Sequence, residues 1–308
     1  MVGVADRPNH QKEEVMLRGI IRHYPGVWLG HSWKVLYEGT RIGVKLNRPW
    51  QVPINPDPKT CPFEKGEMDV IYTFPNGYAL VQNKFTPHKY HVMVMPPNHW
   101  TEDQLRVLGG EGEILKALEN IHQLAINIDE ERWMHVYIGA LAGQNVTHLH
   151  YHMHALERLN ESKVSSDAPD ELRRIEASEQ ELVKFLRDSP RHFNALGGLA
   201  IVIESIFRAG QCFIVPLADD VSPKVDVMAC LLAKTIETYA KAFRSTQGMA
   251  PDFQLCLKFK GGRFIYGSYL PILNHHGTTE TVGAIHSGGP FVHPWTPEET
   301  LEHLQKFL

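Results

Sequence analysis

Four imidazoles alternate with apolar residues in His148-Leu149-His150-Tyr151-His152-Met153-His154. Neutral imidazole attacks electrophilic phosphorus, shuttles protons near neutral pH and ligates zinc, so this run is where the chain's chemistry is expected. Alternation with period two is the pattern of a half-buried β-strand, with the imidazoles on one face and Leu149, Tyr151 and Met153 in a core. On a helix the same four residues would fan around the cylinder and share no surface. The run sits mid-chain within apolar sequence, so it is no terminal tag.

Strand geometry separates the roles of these residues. At roughly 3.3 Å per residue, His148 and His152 stand about 13 Å apart and cannot grip one small ligand together. Members two apart can, so a substrate lying along the strand meets several imidazoles in turn. Two other readings remain open at this point: a His-rich edge strand facing solvent, and a zinc site with His148 and His150 as paired ligands.

Three blocks around the run resemble one family. Gly143-Gln144-Asn145-Val146-Thr147-His148-Leu149-His150-Tyr151-His152 resembles the histidine-triad signature, in which a Gly-Gln-polar turn feeds a His-x-His-x-His strand. The stretch from Ala79 to Pro96 is similar to the first half of that domain, where an Asn or Asp eight residues before a His, here Asn83 before His91, holds the nucleotide ribose. Cys61-Pro62-Phe63-Glu64 resembles the family's Cys-x-x-Cys entry with its second Cys replaced.

The second half of the chain echoes the first in weakened form. Leu199 to Glu204 and Gln211 to Pro216 repeat the paired apolar strands of Ala79 to Pro96, and helix-like segments follow each pair, around 101–127 and 224–245. The run from Phe264 to Pro271 falls where a second triad strand would stand but carries no histidine. Tandem halves with one live strand are the pattern of galactose-1-phosphate uridylyltransferase and its relatives, the dinucleoside polyphosphate and nucleotide-sugar phosphorylases. Tyr269-Leu270-Pro271-Ile272-Leu273 is also similar to the late Tyr-Pro-Pro-Leu-Leu of the uridylyltransferases.

The resemblance implies an α+β protein of two tandem histidine-triad-like halves, each an antiparallel sheet packed with helices, the second degenerate. It places a catalytic half at 1–156, a charged helical connector at 157–192 and the degenerate half at 193–308. It implies nucleotidyl transfer or phosphorolysis on a nucleotide sugar or dinucleoside polyphosphate. His150, the middle histidine, would form a covalent nucleotidyl adduct, dividing one hard displacement into two easier ones. His152 stands where the uridylyltransferases carry Gln, and an imidazole there can protonate a leaving group. Backbone N–H groups of Gly143, Gln144 and Asn145 would cradle phosphate oxygens. The Asn that usually precedes this turn is replaced at about Tyr137.

By the same resemblance Cys61, Glu64, His99 and His148 take the positions of a structural zinc site. One thiolate, one carboxylate and two imidazoles make an acceptable tetrahedral Zn²⁺ set. The second metal site of some uridylyltransferases uses late histidines that are replaced here near Ile265 and Gly267, and is not expected. Competing functions are a hydrolase releasing a nucleoside monophosphate, a zinc hydrolase, and a non-catalytic nucleotide- or metal-binding protein.

The elements that must position these residues leave their own marks. Thr101-Glu102-Asp103-Gln104 reads as a capping box opening a helix, and Ser178-Glu179-Gln180-Glu181 as another helix start. The composition, 43% hydrophobic with a formal net charge of −4, supports a large core and gives no basic footprint for nucleic acid. Met1 to Glu14 lacks the apolar core of a leader, and no run approaches the roughly 18 apolar residues of a membrane span, so a cytoplasmic enzyme without a membrane partner is expected. Cys61, Cys212, Cys230 and Cys256 are far apart and read as reduced residues rather than a disulfide frame. A homodimer is compatible with all of this.

Overall fold

A computed structural model describes residues 21–25, 32–36, 61, 63, 68–82, 91–126, 131–139, 142, 144, 148–155, 180–204, 210–272 and 297–308. The chain divides into two compact units, Met1–Pro53 and Ile54–Leu308. The described part of the first is a hairpin of β1 (Ile21–Pro25) and β2 (Ser32–Leu36), paired antiparallel with Ile21 opposite Leu36.

The second unit is built on one ten-stranded sheet, and every neighbouring pair in it is antiparallel. Its strands are β3 (Val70–Thr73), β4 (Ala79–Gln82), β5 (Val92–Met95), β6 (Glu131–Ile138), β7 (Tyr151–Ala155), β8 (His192–Leu196), β9 (Leu199–Ile203), β10 (Cys212–Pro216), β11 (Asp252–Lys260) and β12 (Arg263–Ile272). Read inward from one edge the order is β3-β4-β5-β7-β6, and from the other β8-β9-β10-β12-β11. The two series meet where β6 pairs with β11, Val136 opposite Leu255. In each series three strands come first in the chain, helix follows, and the last two strands enter in crossed order. The class is α+β, as expected.

Period-two alternation sorts the two faces. Met134, Val136 and Ile138 of β6, with Tyr151 and Met153 of β7, are buried in the main core. Helices fill that core from one side. In α2 (Glu111–Ile126) the buried set Ile114, Ala117, Leu118, Ile121 and Ala125 has helical spacing. In α4 (Val225–Gln247) Met228, Leu231, Leu232, Ile236, Tyr239 and Phe243 do the same. Burying a large apolar side chain contributes about 1.5–3 kcal/mol, so these stripes fix which face the helices cover.

The sequence reads residues 101–127 as one helix-like stretch; the structure breaks it. α1 (Glu102–Arg106) opens on the expected capping box, with Thr101 accepting from the Gln104 amide and Gln104 reaching back to the Thr101 amide. It ends because Leu108, Gly109 and Gly110 have φ of 50°, 74° and 84°, which no right-handed helix accommodates. The second helix-like stretch is continuous as α4. Of the charged connector, residues 180–188 are helical (α3), consistent with the helix start read at Ser178. α5 (Pro297–Gln305) closes the chain, burying Leu304 in the same core. Among the described residues no helix is long and apolar enough to cross a membrane.

Candidate active site

The triad strand is shorter than the alternation suggests. β7 begins at Tyr151, and His148 to His150 form the approach to it. Leu149, Tyr151 and Met153 are buried as expected, which turns His150 and His152 away from the helix-covered face. The histidines are nevertheless unequal. His148 is buried at 3% exposure, while His150 and His152 are half-buried. His150 and His152 rings lie 4.6 Å apart and edge to face.

Backbone carbonyls assign the tautomers of two rings, because a carbonyl only accepts. Nδ1–H of His150 donates to the His148 carbonyl at 2.9 Å, which leaves the lone pair of His150 on Nε2. Nε2–H of His148 donates to the Pro96 carbonyl at 2.9 Å, which leaves its lone pair on Nδ1. Burial pushes the pKa of His150 below the ordinary histidine value. The bond to the His148 carbonyl opposes that shift, and the neighbouring His148 charge adds to it. Burial thus favours the neutral imidazole of His150, with its lone pair on Nε2.

Residues the sequence reading did not assign complete the surroundings. His91, just before β5, is buried, and its Nε2 lies 2.9 Å from Nδ1 of His152. Phe63, two residues after Cys61, sits 5.4 Å from the His148 ring and 5.5 Å from the His150 ring. Trp133, His135 and Tyr137 occupy alternate positions of β6 on the face of His152. The Tyr137 ring meets His152 edge-on at 5.6 Å, and β6 places His135 opposite His152. The signal for the β6 set is its own alternation, Trp-x-His-x-Tyr, which is the pattern of the triad run. On the next strand Cys256 lies opposite His135, and burial pushes its thiol pKa up, which disfavours the thiolate.

The turn before the triad is built on Gly139. Its φ is +88°, and a Cβ there would stand 2.1–2.3 Å from the carboxylate of Asp252, which is ion-paired with Arg106. Gln144 is buried and closes the turn from both ends. Its side-chain oxygen accepts from the Gly139 amide at 2.7 Å, and its own amide donates to the Gly139 carbonyl at 3.1 Å. The Gln144 N–H, read from the sequence as part of a phosphate cradle, thus serves the turn itself. Gly143, Asn145, Asn83 and Glu64 lie outside the described residues.

Three of the four residues read as zinc ligands do converge. The ligand atoms of Cys61, His99 and His148 all lie within 4.8 Å of one another, and the His99 and His148 rings are 4.5 Å apart. Thiolate and imidazole are the usual zinc donors. The bond from His148 Nε2–H to a backbone carbonyl is the support a metal-ligating histidine normally has. The donor set fits Zn²⁺.

The sequence matches no protein-family model and no curated protein. Solved structures do match. A GalT-like protein from Arabidopsis thaliana aligns with TM-score 0.56 at 16% identity, over 81% of this chain and 93% of that one. An ADP-glucose phosphorylase from Arabidopsis thaliana with bound ADP-glucose gives TM-score 0.56 at 16% identity, over 85% and 93%. A uridylyltransferase gives TM-score 0.53 at 14% identity, over 93% and 98%. At these identities the likeness is one of fold, and it is the fold that the three sequence blocks led us to expect.

Proposed function

We propose that this chain is a nucleotidyltransferase or phosphorylase that acts on a nucleotide sugar or dinucleoside polyphosphate through a covalent nucleotidyl-His150 intermediate. One observation carries the reading: the His148 carbonyl holds Nδ1–H of His150, which leaves Nε2 as the attacking nitrogen. In the first half-reaction Nε2 of His150 bonds to the α-phosphorus, and the bond from that phosphorus to the bridging oxygen breaks. His152 gives its proton to the departing oxygen. In the second half-reaction the oxygen of phosphate or a sugar phosphate attacks the same phosphorus, the bond to Nε2 breaks, and His152 recovers a proton.

The remaining residues bind and shape. Asn83 holds the ribose hydroxyls, Gly143 and Asn145 line the phosphate turn, and Gln144 keeps that turn closed. Cys61, His99 and His148, with Glu64, would hold a zinc ion, which supplies cross-linking of the entry loop to the triad rather than chemistry on the substrate. We also read the chain as two tandem histidine-triad-like halves, 1–156 and 193–308 around a connector at 157–192. The identical strand order from the two sheet edges supports that reading. His152, rather than Gln, supports phosphorolysis or hydrolysis at least as well as exchange between sugar phosphates.

The test is labelling. The chain is incubated with α-³²P nucleotides, nucleoside diphosphate sugars beginning with ADP-glucose, and dinucleoside polyphosphates, and the protein is assayed for label and intact mass. A mass gain of one nucleoside monophosphate, absent in His150→Ala, is expected. Turnover without any adduct, equal in wild type and His150→Ala, overturns the covalent reading and favours the zinc hydrolase.

A further inference from the structure

The turn that feeds the triad is closed on itself and also tethered from a neighbouring strand. Within it the Gly139 carbonyl accepts from the amides of Ala142 and Gln144, at 3.2 and 3.1 Å. The tether comes from β11, which pairs with β6 just before the turn begins. Phe253, Leu255 and Leu257 of β11 are buried in the main core. Period-two alternation therefore turns Asp252 and Gln254 to the opposite face, that of Tyr137 and His152. Asp252 lies against Gly139 at one end of the turn. Gln254 stands opposite Tyr137 in the strand register, and its side-chain amide donates to the Ala142 carbonyl at 3.0 Å. A carbonyl only accepts, so it is the amide nitrogen of Gln254 that faces it. β6 itself carries Tyr137 here, so the amide is supplied from across the seam.

We propose that Gln254 is a positioning residue for the α-phosphate: by holding the Ala142 carbonyl it fixes the direction of the next backbone N–H of the turn, that of Gly143. This rests on the nucleotidyl-transfer reading above. The N–H groups of Ala142 and Gln144 are both spent on the Gly139 carbonyl, so the donor left for phosphate is the one between them. The link from Gln254 to that donor is a single peptide group. A peptide is planar and trans, so its C=O and N–H point in opposite directions. Tying the Ala142 carbonyl to β11 therefore sends the following N–H away from β11. A donor held in one direction meets the charge that builds on a phosphate oxygen without first having to reorient, which is the condition for stabilising it strongly.

The experiment reads direction as well as rate. Replacing one non-bridging α-oxygen of ADP-glucose, or of whichever nucleotide labels the wild-type chain, by sulfur gives Rp and Sp diastereomers, and sulfur is a weak acceptor. Wild type should form adduct from one diastereomer faster by about 10-fold or more, the effect of one hydrogen bond to a charged group. Gln254→Leu should slow adduct formation from the all-oxygen nucleotide by about 10- to 100-fold per folded molecule, up to the cost of losing such a donor outright. It should also bring the rates of the two diastereomers close together. Gln254→Glu keeps the shape but cannot donate when ionised, and should lose the preference in the same way. Gln254→Lys, which restores an N–H donor, should regain part of it. The Gln254→Glu and Gln254→Lys pair carries the test if Gln254→Leu does not fold.

A wild-type chain with no preference between diastereomers, or Gln254→Leu and Gln254→Glu chains that keep the wild-type preference, overturns the proposal while leaving the adduct reading intact. A wild-type chain that no nucleotide labels overturns both.

Discussion

The carbonyl oxygen of His148 lies 2.9 Å from Nδ1 of His150, so one histidine fixes, through its backbone, which nitrogen of another keeps its lone pair. The same residue uses its side chain elsewhere, donating from Nε2 to the Pro96 carbonyl and clustering with Cys61 and His99. Because one role is backbone and the other side chain, substitution can separate them.

His150→Ala removes the proposed nucleophile and leaves the His148 carbonyl and the buried residues 149, 151 and 153 in place. Turnover should fall by at least about 10³-fold, as when other covalent nucleophiles are removed. The thermal midpoint should stay within a few degrees of wild type by differential scanning calorimetry. His150→Gly should regain part of its activity with added imidazole.

The pH dependence follows from burial. The pKa of His150 is held below the ordinary histidine value, so the lone pair on Nε2 survives to lower pH than it would on an exposed ring. Protonation blocks attack, so the acid limb of adduct formation should lie below about pH 6.5, the unperturbed histidine pKa. A cation at the neighbouring cluster would push in the same direction. Single-turnover adduct formation measured across pH 4.5–8, as an estimate of the useful range for a histidine, decides it. A limb centred above that value would contradict a buried neutral nucleophile.

What was legible in the sequence was whatever has a local period or a local chemical signature. The capping box at Thr101, the apolar stripes of both long helices, the paired strands around Ala79 and Leu199, and the burial of Leu149, Tyr151 and Met153 all follow from residues within a few positions of one another. The helix break at Leu108 to Gly110 follows from positive φ values that an apolar pattern does not encode. In the sequence His91 only marks the spacing from Asn83, whereas its contact with His152 spans 61 positions and is made through the β5–β7 register. The place of Asp252 beneath Gly139 is similar, since only the β6–β11 seam brings them together.

The third triad position tests transfer against hydrolysis. His152→Gln removes the proposed proton carrier and substitutes an amide that can only hydrogen-bond. The adduct should live longer, and the ratio of transfer to hydrolysis should rise, measured by product analysis with phosphate and water in competition. An unchanged ratio at unchanged rate would make His152 a bystander on the strand.

Gly139→Ala tests the turn. An L residue at φ +88° costs on the order of 1–3 kcal/mol, and the new Cβ would also displace the Asp252 carboxylate from its ion pair with Arg106. Stability in urea should therefore fall by about 2 kcal/mol or more. Because Gln144 is held by both backbone groups of Gly139, adduct formation per folded molecule should fall as well. Loss of stability with a wild-type rate would separate this turn from the site.

The last prediction concerns metal. A site closed by Cys61, His99 and His148 with a fourth donor has no open position for substrate, so its zinc should be structural. About one zinc per chain should co-purify. Cys61→Ser should lower zinc content and the thermal midpoint together, because the binding energy of a closed site is folding energy. The rate per folded molecule should remain measurable, since Nε2 of His150 draws its nucleophilicity from its own lone pair. Elemental analysis without stoichiometric metal removes the site. Chelation that abolishes activity while calorimetry shows an unchanged fold would instead put the metal on the substrate, and with it His150 among the ligands rather than at phosphorus.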